Sequence, residues 1–319
     1  MSFLRFDPIF QERVWGGRAL ADWLGRALPA GRPIGESWEI VDRPEAQSRV
    51  RDGEFAGQTL REVIEAAAER VMGPEWERTR VFPILVKWLD CRERLSLQVH
   101  PPASIALSLG GEPKTENWFV ARTEPGAAVL AGLVDGVDAE KFRAALANNT
   151  AEKLLVRHET HAGDSVLIQS GVMHAIDAGN VILEIQQNSD TTYRVYDWGR
   201  VGLDGKPRQM HVEQSLACLT ANRAPAPRLL RAGEAHDVLA DCAEFRLRRV
   251  RLAHGAKLEI AAREQPRLLS VVDGRLTAND AGRAVVARGE NVLLPFAEAF
   301  SFVADEATTV LVTENFVRP

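Results

Sequence analysis

Four side chains of metal-binding type stand in three short segments of this 319-residue chain: Gln98 and His100 in Gln98-Val99-His100-Pro101, Glu116 in Lys114-Thr115-Glu116-Asn117-Trp118-Phe119, and His174 at the end of the run from Gly163. Residues two apart in a strand point to one face, so Gln98 and His100 are expected to look together into one cavity. Pro101 and Pro102 then stop the strand, because proline cannot donate to a ladder. In the His174 segment, Gly163 and Asp164 precede a short apolar strand, Gly171 follows it, and the histidine comes three residues later. That spacing lets one strand end, turn and present an imidazole to a neighbour. Two imidazoles, a carboxylate and an amide oxygen suit Zn2+, one ion per chain, although manganese, iron or cobalt also fit such a set. Glutamine is neutral, so the site keeps a net positive charge and an open position for water or a substrate oxygen. A catalytic metal needs both.

Such ligands need a rigid frame, and the surrounding pattern predicts one made of short strands. Phe82–Leu89, Leu95–His100, Ser165–Ile168, Val181–Ile185, Phe245–Leu252, Leu268–Val272, Val292–Leu294 and Thr308–Val312 read as strands, broken by Gly, Asp, Asn and Pro. Their frequency points to a sandwich or barrel rather than a parallel α/β sheet. Helices are few. Thr59-Leu60-Arg61-Glu62 is a capping box, followed by Leu60, Val63, Ile64, Ala67 and Val71 at helical spacing, which predicts a helix over 59–71. A second opens at Asp138 and covers about 138–148, and a third, shorter one covers His211 to Leu219.

Asn222-Arg223-Ala224-Pro225-Ala226-Pro227 is the one stretch rich in proline and small residues, so residues 223–230 read as a linker. It separates a metal-containing domain, 1–222, from a smaller C-terminal one, 231–319. Within the latter, Gly289 to Phe300 repeats the spacing of Gly163 to His174, with Ala297 at the second glycine and Phe300 at the histidine. A duplicated fold is expected, the second copy lacking metal ligands and filled by apolar side chains.

The composition, 45% hydrophobic and 26% charged, is that of an ordinary folded domain, and a net charge of −5 with scattered arginines argues against a nucleic-acid partner. Cys91, Cys218 and Cys242 are odd in number and far apart, so no disulfide framework or paired-cysteine metal site is expected. The first residues lack the apolar core of a signal peptide, and no apolar run approaches the ~20 residues needed to cross a bilayer. A cytoplasmic protein without a membrane partner is the expectation, its oligomeric state left open.

Residues 163–174 resemble the second motif of the cupin superfamily, with Gln169 where proline is usual. More narrowly, the chain resembles the type I mannose-6-phosphate isomerases (phosphomannose isomerases) of the short bacterial form. The resemblance is carried by Trp15-Gly16-Gly17, Ile34-Gly35-Glu36-Ser37-Trp38-Glu39, Leu95 to Pro101, Lys114-Thr115-Glu116 and the run from His174 through Val181–Asp190 to Thr192–Trp198. It implies two cupin-type jelly-roll β-sandwich or barrel domains and a zinc enzyme that interconverts mannose 6-phosphate and fructose 6-phosphate. It also implies metal ligands at Gln98, His100, Glu116 and His174, phosphate contacts at Ser96 and Lys114, and an active-site glutamate and arginine at Glu184 and Arg194. Glu36 falls in a matching segment without a definite role.

An aldose–ketose isomerisation must remove a proton from a feebly acidic C–H and stabilise a cis-enediolate. A divalent cation and an always-charged arginine serve the second need, Arg194 acting on either the enediolate or the phosphate. Glu184 lies in an apolar strand on the face of Ile182 and Gln186, where partial desolvation would raise its pKa and make it a general base, with metal-bound hydroxide as the rival. Trp15, Trp38, Trp118 and Trp198 are expected beneath the site, and His158, His161, His211, His236 and His254 in ordinary structure. A non-catalytic sugar-binding cupin and a metal-dependent cupin oxygenase remain as other readings.

Overall fold

Ser165–Ile168 folds as a strand over the range its sequence predicts, and the other expected strands form within a few residues of theirs, for example Asn180–Gln187, Ile84–Cys91 and Thr308–Glu314. The computed structural model describes residues 2–234, 236–279 and 282–317. Among them the architecture is mainly β, as expected, with a few short helices. Among the described residues no helix is long and apolar enough to cross a membrane.

The chain divides into two compact units, Phe10–Ser37 with Lys87–Glu234, and the described residues of 1–9, 38–86 and 235–319. The expected cut at 223–230 comes near only one of these boundaries. Two other boundaries fall inside the strands Ile34–Ile40 and Ile84–Cys91, where no linker-like composition interrupts the pattern. Nor is 223–230 a free linker. Leu229 and Leu230 pair with Val166 and Ser165 at a sheet edge, and Ala224 packs on the same core.

The first unit carries two sheets. One has the strand order Leu229–Leu230, Ser165–Ile168, Glu116–Thr123, Asn180–Gln187, Ile84–Cys91, Ile34–Ile40, Ile9–Gly17. The other runs Leu155–Glu159, Ala128–Leu133, His174–Ile176, Leu97–Val99, Tyr193–Tyr196. Trp118, Val166, Ile168 and Ile182 from the first meet Val129, Ala131 and Ile176 from the second in one buried core, which makes the pair a sandwich. Asp138 caps the helix Ala139–Ala147 by accepting from the Lys141 amide, and the third helix runs Val212–Ala221.

The second unit has a six-stranded and a four-stranded sheet. Its core is a continuous set of aliphatic residues closed by Phe3 and Phe302. Phe300, at the position that echoes His174, opens the strand Phe300–Ala304 and packs against that core. The helix Leu60–Val71 starts at Thr59 with the capping box its sequence predicts, both reciprocal bonds being present. Its apolar face differs by one residue from the pattern. Ala67 leaves helical geometry, and Ala68 is the buried alanine.

Close approach of two strands fixes one edge of the first unit. A Cβ on Gly16 would lie 2.3 Å from the Gly35 nitrogen and 2.4 Å from the Ile34 carbonyl carbon, both backbone atoms. Backbone cannot yield as a side chain does, so Gly16→Ala is expected to destabilise the protein by about 1–3 kcal/mol, the usual cost of overpacking. Urea denaturation of the two proteins measures this, and equal midpoints would remove the constraint.

Candidate metal centre

His174 sits opposite Gln98 in the five-stranded sheet, while Glu116 lies at the start of a strand in the seven-stranded one, paired with Ile168 and Gln186. His100 follows directly on Leu97–Val99. Both faces of the sandwich therefore contribute, and the ligand atoms of His100, Glu116 and His174 all lie within 4.8 Å of one another. His100 Nε2 is 3.4 Å from Glu116 Oε2, and His174 Nε2 is 3.5 Å from Glu116 Oε1. Gln98 joins them through its amide, 3.2 Å from His174 Nε2. The two ends of an amide interchange by a half-turn, so Gln98 can offer its oxygen at the same point. All four expected ligands thus come together.

The local structure prepares these groups for a cation. His100 Nδ1 lies 2.7 Å from the Thr191 carbonyl and His174 Nδ1 lies 2.8 Å from that of Val172. Each carbonyl takes the Nδ1 proton and leaves the Nε2 lone pair facing Glu116, the orientation usual for a metal-binding histidine. Burial lowers both imidazoles, His174 to about 3, so both stay neutral near pH 7. Burial alone would raise the Glu116 carboxyl, but Lys114 and His100 outweigh it and hold the group well below its ordinary value. Glu116 Oε1 is also buried without a hydrogen-bond partner. Two neutral nitrogens, an ionised carboxylate and an orphaned oxygen fit a divalent cation.

The centre opens onto a cleft of about 560 Å³ whose lining includes Ser96, Gln98, Lys114, Glu184 and Arg194. Every site residue expected from sequence is therefore either in the ligand set or on this wall. Glu184, in the strand Asn180–Gln187, accepts from the Trp118 indole at 2.9 Å and lies 3.5 Å from Lys114 Nζ. Burial, and then the charge of Glu116, push its carboxyl up to about 7. The cation beside it is Lys114. Lys114 is buried, bonds to Glu116, and lies 3.4 Å from His100 Nε2. Its ammonium is thus placed at the metal centre, with carboxylates around it that keep it charged. Ser96 Oγ donates to Gln98 Oε1 at 3.2 Å. Arg194 Nη1 donates to the Gln209 carbonyl at 3.0 Å, while its Nε is buried without a partner.

Of the four tryptophans expected beneath the site, Trp118 stands edge-on to His174 and Trp15 lines the cleft. The other two do not. Trp38 is buried with Val41 and Leu85, and Trp198 packs on Tyr196 while donating to the Leu95 carbonyl. His211, assigned to ordinary structure, bonds through its own amide and Nδ1 to the backbone of Arg194. Sequence reasoning passed over Arg13, Lys87, Asp190 and Arg208, and left Glu36 without a role, although all five line the cleft. Arg13 pairs with Glu36 at 2.9 Å, and Lys87 lies 3.4 Å from Asp190 and 3.8 Å from Glu36. One signal was available: Lys87 interrupts the apolar strand Ile84–Cys91, where a buried lysine needs a partner.

Mannose-6-phosphate isomerase ManA of Bacillus subtilis is 34% identical over 307 residues, covering 92% of this chain and 93% of that protein. The chain belongs to the type I mannose-6-phosphate isomerase family. The mannose-6-phosphate isomerase of Streptococcus mutans is similarly related, 35% identical over 91% of this chain and 92% of that one. The family description "phosphomannose isomerase type I, catalytic domain" matches residues 3–117. The crystal structure of a B. subtilis mannose 6-phosphate isomerase superposes with a TM-score of 0.87 at 28% identity, covering 98% of this chain and all of that one. The candidate metal centre includes two buried histidines, His100 and His174. His174→Ala is expected to weaken zinc binding by more than about tenfold, since even outer-shell changes at metal sites cost that much. Metal analysis after dialysis checks it, and an undiminished zinc content would exclude His174 as a ligand.

Proposed function

We propose that this chain interconverts mannose 6-phosphate and fructose 6-phosphate through a cis-enediolate, with Zn2+ held by Gln98, His100, Glu116 and His174. The observation that supports this most is the presence of Glu184, a buried carboxylate with a pKa raised to about 7, in one cleft with the ligand set. A base of that strength is matched to proton transfer at neutral pH. The relatives at 34% and 35% identity carry the same activity in their names. When bound, a divalent ion there polarises the sugar carbonyl and offsets the enediolate charge.

The chain's own residues handle the proton and the phosphate. Glu184 takes the proton from C2 of the open-chain aldose and returns it to C1, the O2 hydroxyl proton passes to O1 of the enediolate, and the Trp118 indole fixes the carboxylate. Lys114, 3.5 Å from Glu184, supplies positive charge beside the developing oxyanion. Ser96 and Arg194 are the donors proposed for the phosphate, because Lys114 sits at the reacting end beside Glu184 and Glu116. Lys114 is already held by Glu116, so an anion competes for it, whereas Arg194 gives up only a neutral carbonyl. Arginine also matches phosphate with two parallel donors.

A coupled assay with mannose 6-phosphate, run with and without chelator, tests the reading. An isomerase turns over and stops on chelation; consumption of oxygen would favour an oxygenase, and neither result a sugar-binding protein. Glu184→Gln is expected to lower turnover by at least about tenfold with metal content intact, the lower range of general-base effects. The pH profile gives a second check. A base acts deprotonated, so kcat/KM should fall as pH drops through about 7, where Glu184 gains its proton. A limb at the ordinary carboxylate value would take Glu184 out of that role.

A further inference from the structure

Val201, Leu203 and Met210 are 47%, 57% and 39% exposed, an unusual run of apolar side chains in water over ten residues. Val201 and Leu203 belong to a hairpin at the rim of the cleft, with Met210 just beyond it, and Gly202, Leu203 and Asp204 at its tip line the cleft directly. Val201 bridges to Pro207, the Gly202 amide donates to the Lys206 carbonyl at 2.7 Å, and Asp204 Oδ1 accepts from the Lys206 amide at 3.0 Å. Gly205 turns the tip with φ +74°, and a Cβ there would meet nothing within 4 Å. The tip is therefore held by its own short-range bonds and is open to solvent.

Its base is the opposite. Asp197 is buried and takes Arg200 at 2.8 Å and Arg208 through Nε at 2.7 Å, one arginine from each arm of the hairpin. Arg200 is tied further to the Arg94 carbonyl. A clamped base under a tip that buries little is the distribution of stability expected of a moving element. An exposed leucine facing a cleft lined largely by charged groups contributes nothing to folding there, but it can cover the C–H face of a bound sugar.

We propose that the hairpin 201–207 is a strap that closes over the bound sugar phosphate, pivoting on the Asp197 clamp, and that Leu203 is the residue that covers the substrate. Closure places an apolar side chain over the reacting carbons and excludes water from the enediolate. The Asp204 carboxylate accepts from the Lys206 amide, which fixes that charge on the tip. The strap rests on the isomerase reading, because its occupant is the sugar phosphate.

The test uses the metal-loaded full chain and mannose 6-phosphate, with turnover measured in the same preparation. Substrate is expected to slow amide hydrogen exchange of the hairpin by about fivefold or more, as an ordered local segment does. Leu203→Ala should raise KM about tenfold, the scale of a leucine that loses its burial against a ligand, and Leu203→Met should recover most of it. Metal content should not change in either variant. Turnover without added protection of the hairpin, or with an unchanged KM for Leu203→Ala, overturns the strap alone. Absence of turnover in the wild type overturns the isomerase reading and the strap with it.

Discussion

Glu116 is a carboxylate shut away from solvent between two sheets, and every other polar group of the centre is arranged around its charge. An isolated buried carboxylate would take up a proton rather than stay ionised. Here Lys114 lies against it, and the two imidazoles stand 3.4 and 3.5 Å away. The result is a fixed negative charge at the floor of a cleft, which is what a divalent ion needs from its one anionic ligand. It also sets the neighbouring groups. Glu184 is desolvated already, and the Glu116 charge adds to the cost of ionising it, so two carboxylates in one pocket have opposite shifts.

That opposition lets a single strand face do two jobs. Glu116 and Glu184 belong to paired strands in the same sheet, where Glu116 lies opposite Gln186 and Glu184 opposite Trp118. Alternation brings ligand and proposed base to the interior at fixed separation, because residues i and i+2 share a face. Trp118 lies in the same ladder, so its indole reaches Glu184 and its ring meets His174. Further out, Arg13, Glu36, Lys87 and Asp190 neutralise one another along the wall, which lets strongly charged side chains line the cleft without stranding any one of them.

The sequence is most readable where spacing itself is the constraint. Ser165–Ile168 and the capping box at Thr59 could be placed from pattern, since a glycine-bounded apolar run and a reciprocal cap each admit one local geometry. The four candidate ligands could be picked out because Gln98 and His100 stand two apart before Pro101 and because His174 follows the turn at Gly171. The unit boundaries were not, because the chain passes from one unit to the other within Ile34–Ile40 and Ile84–Cys91, whose residues read as uninterrupted strand. Trp38 and Trp198 were misplaced for a related reason. A large aromatic is buried wherever a core forms, and its type alone does not say which core. Lys114 shows the limit of segment-by-segment reading: its place beside Glu116 follows from adjacency, but its contact with Glu184 depends on a strand seventy residues away.

Rigidity is divided along the same lines as function. Groups that must hold a small cation need placement to within a fraction of an ångström, and they lie on or beside paired strands, their imidazoles pinned by carbonyls from Thr191 and Val172. Under the proposed function the groups at the rim would admit a sugar and then enclose it, and they lie on a hairpin whose base is clamped at Asp197. Arg194 stands between the two regimes. Its backbone is paired with Gln98 in the sheet, which joins it to the ligand strand, while its guanidinium donates to Gln209 just past the hairpin. An arginine so placed senses both the ligand strand and the hairpin. A phosphate drawn to it under the proposed reading would be held where the paired strands meet the proposed strap.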